Sequence, residues 1–306
     1  MRPLIIGTRG SSLALCQAEI VQVKLEEQWP EHRFELKTIQ ARADRNPEVP
    51  LIALGGEGIF VKELEAALSA GTIDLAVHSL KDMPLDVPTS FTIAAVLERE
   101  EMRDAFVSRS GQRFDELPSG STIGTSSLRR RSQLLHRRQD LRPLEIRGNV
   151  DTRLRKLDDG RYDAIVVAAC GLIRLGLEER ITELLPFDLM LPEPGQGALA
   201  IETRRDDADV EQLVRPLEHA ASRACVEAER AFLNALGGGC RVPIAAYAEI
   251  DGDHLTLEGA VIAADGSRQL RGKLSGPLND PIALGKHFAA QLASRGAKEL
   301  LDKRVE

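Results

Sequence analysis

Cysteine is scarce in this chain of 306 residues: four occur, at 16, 170, 225 and 240, and no two of them form a CxxC pair. Neither a zinc site nor a disulfide framework is signalled by that spacing. Aromatic residues are few as well, with eight phenylalanines, two tyrosines and one tryptophan. An excess of positive charge is lacking, because the formal net charge is −7. That balance argues against a general nucleic-acid or membrane-surface binder. No apolar run approaches the length of a membrane span. Met1-Arg2-Pro3 leads straight into Leu4-Ile5-Ile6, too short for the apolar core of a signal peptide. The expectation is a cytoplasmic protein in a reducing compartment, with no metal.

What is present is an ordinary globular composition, 43% apolar and 28% charged, with room for two or three domains. Leu4-Ile5-Ile6 reads as a strand, Gly7-Thr8-Arg9-Gly10-Ser11-Ser12 as a small polar loop, and Leu13 to Glu26 as a helix. Strand, loop and helix in that order leave free amides at the helix start, which bind anions, and Arg9 adds a cation. Phe34 to Ile39 is a second strand. Residues 41–58 are rich in proline and glycine and longer than a normal connection, as lids often are. Ile59 to Ala70 resumes as a helix with Phe60, Leu64, Ala67 and Leu68 on one side.

Asp74-Leu75-Ala76-Val77-His78 is then a short buried strand that turns abruptly into Ser79-Leu80-Lys81-Asp82 before Met83-Pro84. A strand ending in polar groups delivers them to the sheet edge where α/β proteins keep ligands. Taken alone, Lys81-Asp82 reads equally as an idle solvated turn. The pattern restarts further on. Ile123-Gly124-Thr125-Ser126-Ser127-Leu128 echoes Ile6-Gly7-Thr8 and Ser11-Ser12-Leu13, before a helix from Leu128 to Arg138. Gly160 to Val167 echoes Gly71 to Val77. Two similar α/β halves explain both echoes, and their anion-binding loops would face each other across a cleft.

Between 121 and 155 stand nine arginines (129, 130, 131, 137, 138, 142, 147, 153 and 155) against three acids and no lysine. Guanidinium suits bidentate recognition of carboxylate or phosphate. No aromatic residue lies in that stretch, so base stacking is unsupported and small polyanions fit better than RNA. Leu189 to Gly197 crosses back through prolines and glycines to a short strand, Ala198 to Glu202. A helix from Ala221 to Leu236 ends at Gly237-Gly238-Gly239-Cys240. Strands at Ile244–Ile250, His254–Ile262 and Arg268–Ser275 are joined at Asp251-Gly252 and Asp265-Gly266, both strong hairpin signals. A final helix, Ile282 to Leu301, covers them. For Cys240 the residues leave three readings open: an ordinary loop thiol, a point of permanent attachment, or a nucleophile that turns over.

Assembled, the motifs resemble those of the porphobilinogen deaminase (hydroxymethylbilane synthase) family along essentially the full length. The resemblance rests on Ile6-Gly7-Thr8-Arg9-Gly10-Ser11, Phe60-Val61-Lys62-Glu63-Leu64, His78 to Pro84, Gly124 to Arg130 and Arg147-Gly148-Asn149-Val150. It continues through Gly171 to Gly176, Pro194-Gly195-Gln196-Gly197 and Gly238-Gly239-Cys240. It implies an α/β fold of two periplasmic-binding-protein-like lobes plus a small C-terminal α+β domain with a three-stranded antiparallel sheet. Lobe 1 would comprise 1–98 and 198–216 with the lid at 41–58, lobe 2 residues 103–192, and the C-terminal domain 220–306.

The activity implied is stepwise head-to-tail condensation of four porphobilinogen molecules, with loss of ammonia, to the linear tetrapyrrole hydroxymethylbilane. A covalent dipyrromethane cofactor would be held through a thioether to Cys240, and Asp82 would be catalytic. Cofactor and substrate carboxylates would meet Arg9, Ser11, Ser79, Lys81, Thr125, Ser126 and Ser127. Arg129, Arg130, Arg147, Gly148, Arg153, Arg174 and Gln196 complete that set, with Phe60 packing on a pyrrole ring. Each ring carries two carboxylates, which gives an arginine-rich lobe its purpose. The protein would act as a monomer on porphobilinogen, without nucleic acid or membrane. Three positions depart from the family pattern: Glu57 where a lysine is usual, Ala53 where many members carry lysine, and Ala43 where glycine is common. A two-lobed polyanion-binding protein without catalysis is the competing reading, and it leaves Gly237-Gly238-Gly239-Cys240 unexplained.

Overall fold

A computed structural model describes residues 2–40, 61–239 and 242–302. The lid at 41–58, Phe60 and Cys240 lie outside the described residues. The chain divides into two compact units, Met1–Glu100 with Gly197–Arg223, and Glu101–Gln196 with Ala224–Glu306.

The first unit is an α/β sandwich. Its strands are β1 (Leu4–Thr8), β2 (Phe34–Thr38), β3 (Leu75–Ser79), β4 (Phe91–Val96) and a late strand, β10 (Leu199–Arg204), in the order β2-β1-β3-β10-β4. β1 runs parallel to β2 and β3, whereas β10 is antiparallel to both of its neighbours. Helix α1 (Ser12–Gln28) covers one face, where Ala18, Val21 and Leu25 meet Ile6, Leu75, Val77 and Ile201. Helix α2 (Lys62–Ser69) covers the other, with Leu64, Ala67 and Leu68 against Ile73, Ala76 and Phe91. Burial from both sides is why β3 reads as a continuous apolar run and not as an alternation. Gly7 lies close to its neighbours: a Cβ there would sit 2.3 Å from Ile73 Cδ1, so that side chain would have to shift.

The second unit repeats this plan. Its strands β5 (Asp104–Ser108), β6 (Thr122–Gly124), β7 (Arg142–Leu144), β8 (Ala164–Ala168) and β9 (Glu183–Leu184) form a sheet in the order β7-β6-β8-β5-β9. β6 is parallel to β7 and β8, and β5 is antiparallel to β8 and β9. Position for position, β6 stands where β1 does and β8 where β3 does, so the sequence echoes are equivalent strands. Even a staple is repeated. Asp74 accepts from the backbone N of Ile5 at 2.8 Å, and Asp163 accepts from the backbone N of Thr122 at 2.8 Å. Helices α3 (Leu128–Arg137), α4 (Val150–Asp158) and α5 (Ala169–Arg174) complete this half.

After α6 (Ala208–Val214) and α7 (Ala220–Ala235) come β11 (Ile244–Asp251), β12 (His254–Ile262) and β13 (Gln269–Pro277), an antiparallel sheet in that order. The single final helix expected from the sequence is two helices, α8 (Pro281–Ser294) and α9 (Ala297–Asp302). The break falls at Gly296, whose φ of +92° leaves the helical region. Phe288 of α8 stacks on Phe232 of α7, ring centroids 5.0 Å apart, and a Cβ on Gly259 of β12 would strike Phe232 at 2.7 Å.

Candidate active site

The strand β3 delivers the first group of candidates. It ends at Ser79, and a single 3₁₀ turn, Leu80–Asp82, follows. Leu80 N donates to Ala198 O at 3.0 Å, tying this turn to the chain just before β10. Lys81 and Asp82 are half-buried there. Among the described residues, no hydrogen bond or ion pair reaches the Asp82 carboxylate. Ser79 Oγ accepts from Gln17 Nε2 at 2.9 Å, so the end of β3 sits beside α1. Ser11 caps α1 by accepting from Ala14 N at 3.3 Å. Arg9 is half-buried in the loop between β1 and that cap.

The second unit holds the arginine-rich group, built around a residue that pattern reading did not single out. Asp104 opens β5 with no exposure to solvent. Arg129 Nη1 donates to its Oδ2 at 2.7 Å. Arg130 donates to its Oδ1 through Nε at 3.1 Å and Nη2 at 2.7 Å. Gln196 Nε2 reaches the same oxygen at 2.9 Å and Met102 O at 2.8 Å. Burial alone would raise the Asp104 carboxyl, but the guanidinium groups of Arg129 and Arg130 outweigh it and hold the group well below the usual carboxylate range. The signal for Asp104 was a lone acid at the mouth of the apolar run Ala105-Phe106-Val107; such a group must be paired when buried.

Arg129 also donates through Nη1 to Leu191 O at 2.7 Å. Its Nε and Nη2 are buried and, among the described residues, have no hydrogen-bond partner. With the side chain only 2% exposed, those donors are enclosed by protein. Ser127 caps α3 by accepting from Arg130 N at 3.4 Å, and its own N donates to Thr125 Oγ1 at 3.3 Å. Ser126 Oγ bonds to Ile146 O and accepts from Ile146 N, which joins this cap to the neighbouring loop.

That loop carries the next candidates. Arg147 pairs with Glu145, Nε to Oε1 at 2.7 Å, and Arg153 Nε donates to Gly148 O at 2.8 Å. Gly148 has φ +110°, and a Cβ there would meet Thr152 Cγ2 at 2.5 Å. Arg174 stands at the C-terminal end of α5. The arginine concentration is therefore not one open field. Arg138, for example, closes α3 by pairing with Asp140 and donating to Leu117 O at 3.0 Å. At the positions equivalent to Ser79, Leu80, Lys81 and Asp82, the second unit has Ala168, Ala169, Cys170 and Gly171, so only the first carries the polar turn.

Comparison with known proteins follows the same outline. The family model described as "Porphobilinogen deaminase, dipyromethane cofactor binding domain" matches residues 4–212, and "Porphobilinogen deaminase, C-terminal domain" matches residues 223–294. A porphobilinogen deaminase of Nitrosomonas europaea is 49% identical over 300 residues, 98% of this chain and 97% of its own. One from Desulforudis audaxviator is 48% identical over the same shares. One from Pelotomaculum thermopropionicum is 45% identical over 302 residues, 99% of this chain and 97% of its own. Among solved structures, the methionine-binding protein MetQ covers 70% of this chain and 89% of its own at a TM-score of 0.44 and 17% identity, a likeness too low to bear on function.

Proposed function

The chain belongs to the porphobilinogen deaminase family, and on that premise we propose how its own residues divide the work. It is a transferase that joins four porphobilinogen molecules head to tail, with loss of ammonia, to give hydroxymethylbilane in porphyrin biosynthesis. Its cofactor is dipyrromethane. When bound, the cofactor supplies the free pyrrole carbon to which the first substrate is joined. The residues present suit such a group: Arg129 keeps two buried N–H donors that have no acceptor among the described residues, and a carboxylate fills donors of that kind. This observation carries the assignment of residues.

In this reading Asp104 and Gln196 act from behind, holding the guanidinium planes of Arg129 and Arg130 in fixed orientation. Arg129, Arg130, Thr125, Ser126 and Ser127 receive carboxylates, and Arg147, Gly148, Arg153 and Arg174 extend the same recognition. Arg9, Ser11, Ser79 and Lys81 do so in the first unit, with Phe60 against a pyrrole ring. Asp82 has a different task. Loss of ammonia from porphobilinogen would leave a cationic azafulvene, and joining it to the next ring would keep positive charge on the new link until a proton is lost. A carboxylate without a cation of its own can stabilise both charges and take up the proton lost when aromaticity returns. Lys81 beside it binds a substrate carboxylate.

Cys240 holds the cofactor through a thioether. Residues 1–98 with 198–216, 103–192 and 220–306 form three domains, the last carrying the cysteine. The protein works in the cytoplasm as a monomer, without nucleic acid or membrane. Intact-mass measurement of the purified, active protein tests the core of this reading. The expected mass exceeds the sequence mass by two linked pyrrole units, and Cys240→Ser removes the surplus. An active protein of bare-chain mass would overturn the covalent attachment.

A further inference from the structure

Gln133 lies one turn beyond Arg129 on α3, past the motif Gly124 to Arg130, and is 1% exposed. Its carboxamide pairs with the peptide groups of Leu191: Oε1 accepts from Leu191 N at 2.9 Å, and Nε2 donates to Leu191 O at 3.0 Å. Nε2 also lies 3.2 Å from Arg129 O and 3.3 Å from Met190 Sδ. Leu191 is buried, belongs to no strand or helix, and is followed by Pro192. Neither its N nor its O has a backbone partner among the described residues. A side-chain amide therefore does here what a neighbouring strand would do, satisfying peptide groups of an irregular buried segment.

What Leu191 O holds in turn is Arg129. Nη1 of that guanidinium carries two N–H and has two acceptors, Asp104 Oδ2 and Leu191 O, each at 2.7 Å. Asp104 is itself fixed by Arg130 and Gln196, so Leu191 O is the second of two points that set the guanidinium plane. Nε and Nη2, without a partner among the described residues, lie together on one edge. Arg130 uses that same pair of nitrogens on Asp104 Oδ1. A single carboxylate spans such an edge with two parallel bonds, provided the plane does not turn. We propose that Gln133 is a positioning residue: through Leu191 O it holds Arg129 so that Nε and Nη2 meet one carboxylate of cofactor or substrate together. The proposal rests on the reading of Arg129 as a carboxylate receiver.

The test uses the intact holoprotein and compares Gln133→Met, Gln133→Glu and Arg129→Lys with wild type. Methionine keeps the length of glutamine and loses both bonds to Leu191. Glutamate keeps an acceptor for Leu191 N, loses the donor to Leu191 O, and takes the place of methionine should that variant not fold. Arginine Nε–H signals are read by nitrogen–proton correlation NMR, with that of Arg129 identified by its absence from Arg129→Lys. In the Gln133 variant the Arg129 Nε–H should exchange with water roughly tenfold faster or more. Well below Tm, kcat/KM for porphobilinogen should fall by roughly tenfold. The Nε–H of Arg138, held by Asp140, should keep its wild-type exchange rate. A merely structural glutamine would lower Tm and leave the Arg129 signal and kcat/KM at wild-type values, and that result would overturn the proposal. Near-wild-type kcat/KM in Arg129→Lys would remove the reading of Arg129 as a carboxylate receiver, while the Arg129 exchange rate would still judge whether Gln133 positions it.

Discussion

At the scale of single residues, two aspartates in this chain stand in opposite surroundings. Asp104 is sealed in and bonded by Arg129, Arg130 and Gln196. Replacing it with asparagine leaves two buried guanidinium groups short of a counter-charge, at a cost of about 3–5 kcal/mol. Because its folded pKa is lowered, its contribution is present above the ordinary carboxylate range and lost only as pH falls through the lowered value. The stability gap between wild type and Asp104→Asn should thus stay constant from neutral pH to about 4 and narrow only in stronger acid, as read by chemical unfolding at each pH. Asp82 is half-buried with no bonded cation among the described residues. Asp82→Asn and Asp82→Glu should each lower kcat by roughly 10²–10⁴-fold while the covalent mass surplus stays. Near-normal rates in both would identify Asp82 as the wrong carboxylate.

Among elements, the two five-stranded sheets share one plan, and the differences fall at strand ends. Gly7 and Gly124 occupy equivalent places, yet their surroundings are unequal. A Cβ at Gly7 would sit 2.3 Å from Ile73 Cδ1, whereas one at Gly124 has its nearest neighbour, Ile165 Cγ2, at 3.0 Å. Gly7→Ala should destabilise by about 1–3 kcal/mol through overpacking, and Gly124→Ala by less, measured as shifts in the urea midpoint. This repeat was legible in the sequence because strand, glycine, small polar loop and helix recur with the same apolar spacing. Also legible were the hairpins at Asp251-Gly252 and Asp265-Gly266. The break at Gly296 was not, since an isolated glycine inside a helical pattern is compatible with an unbroken helix.

For the molecule as a whole, the acidic total and the arginine concentration are reconciled by pairing. Arg129 and Arg130 take Asp104, Arg138 takes Asp140, and Arg147 takes Glu145. Arginines paired in this way offer selected donors and not a broad positive field, so long polyanions should compete weakly. Single-stranded RNA added in excess over porphobilinogen should leave the rate unchanged; strong inhibition would return the nucleic-acid reading. Light scattering should give the mass of one chain across a wide concentration range, and a concentration-dependent dimer would refute the monomer.

By itself the sequence determined the α/β alternation, the internal repeat, the C-terminal hairpins and the motifs that place the chain in its family, because each is written in local spacing and turn chemistry. Only the tertiary structure decided which cations are already paired. Asp104 meets arginines 25 and 26 residues away, Glu202 meets His78 across 124 residues, and Arg129 keeps two donors with no partner among the described residues. Such pairings follow from which strands lie side by side and how deeply they are buried. Local sequence records neither quantity.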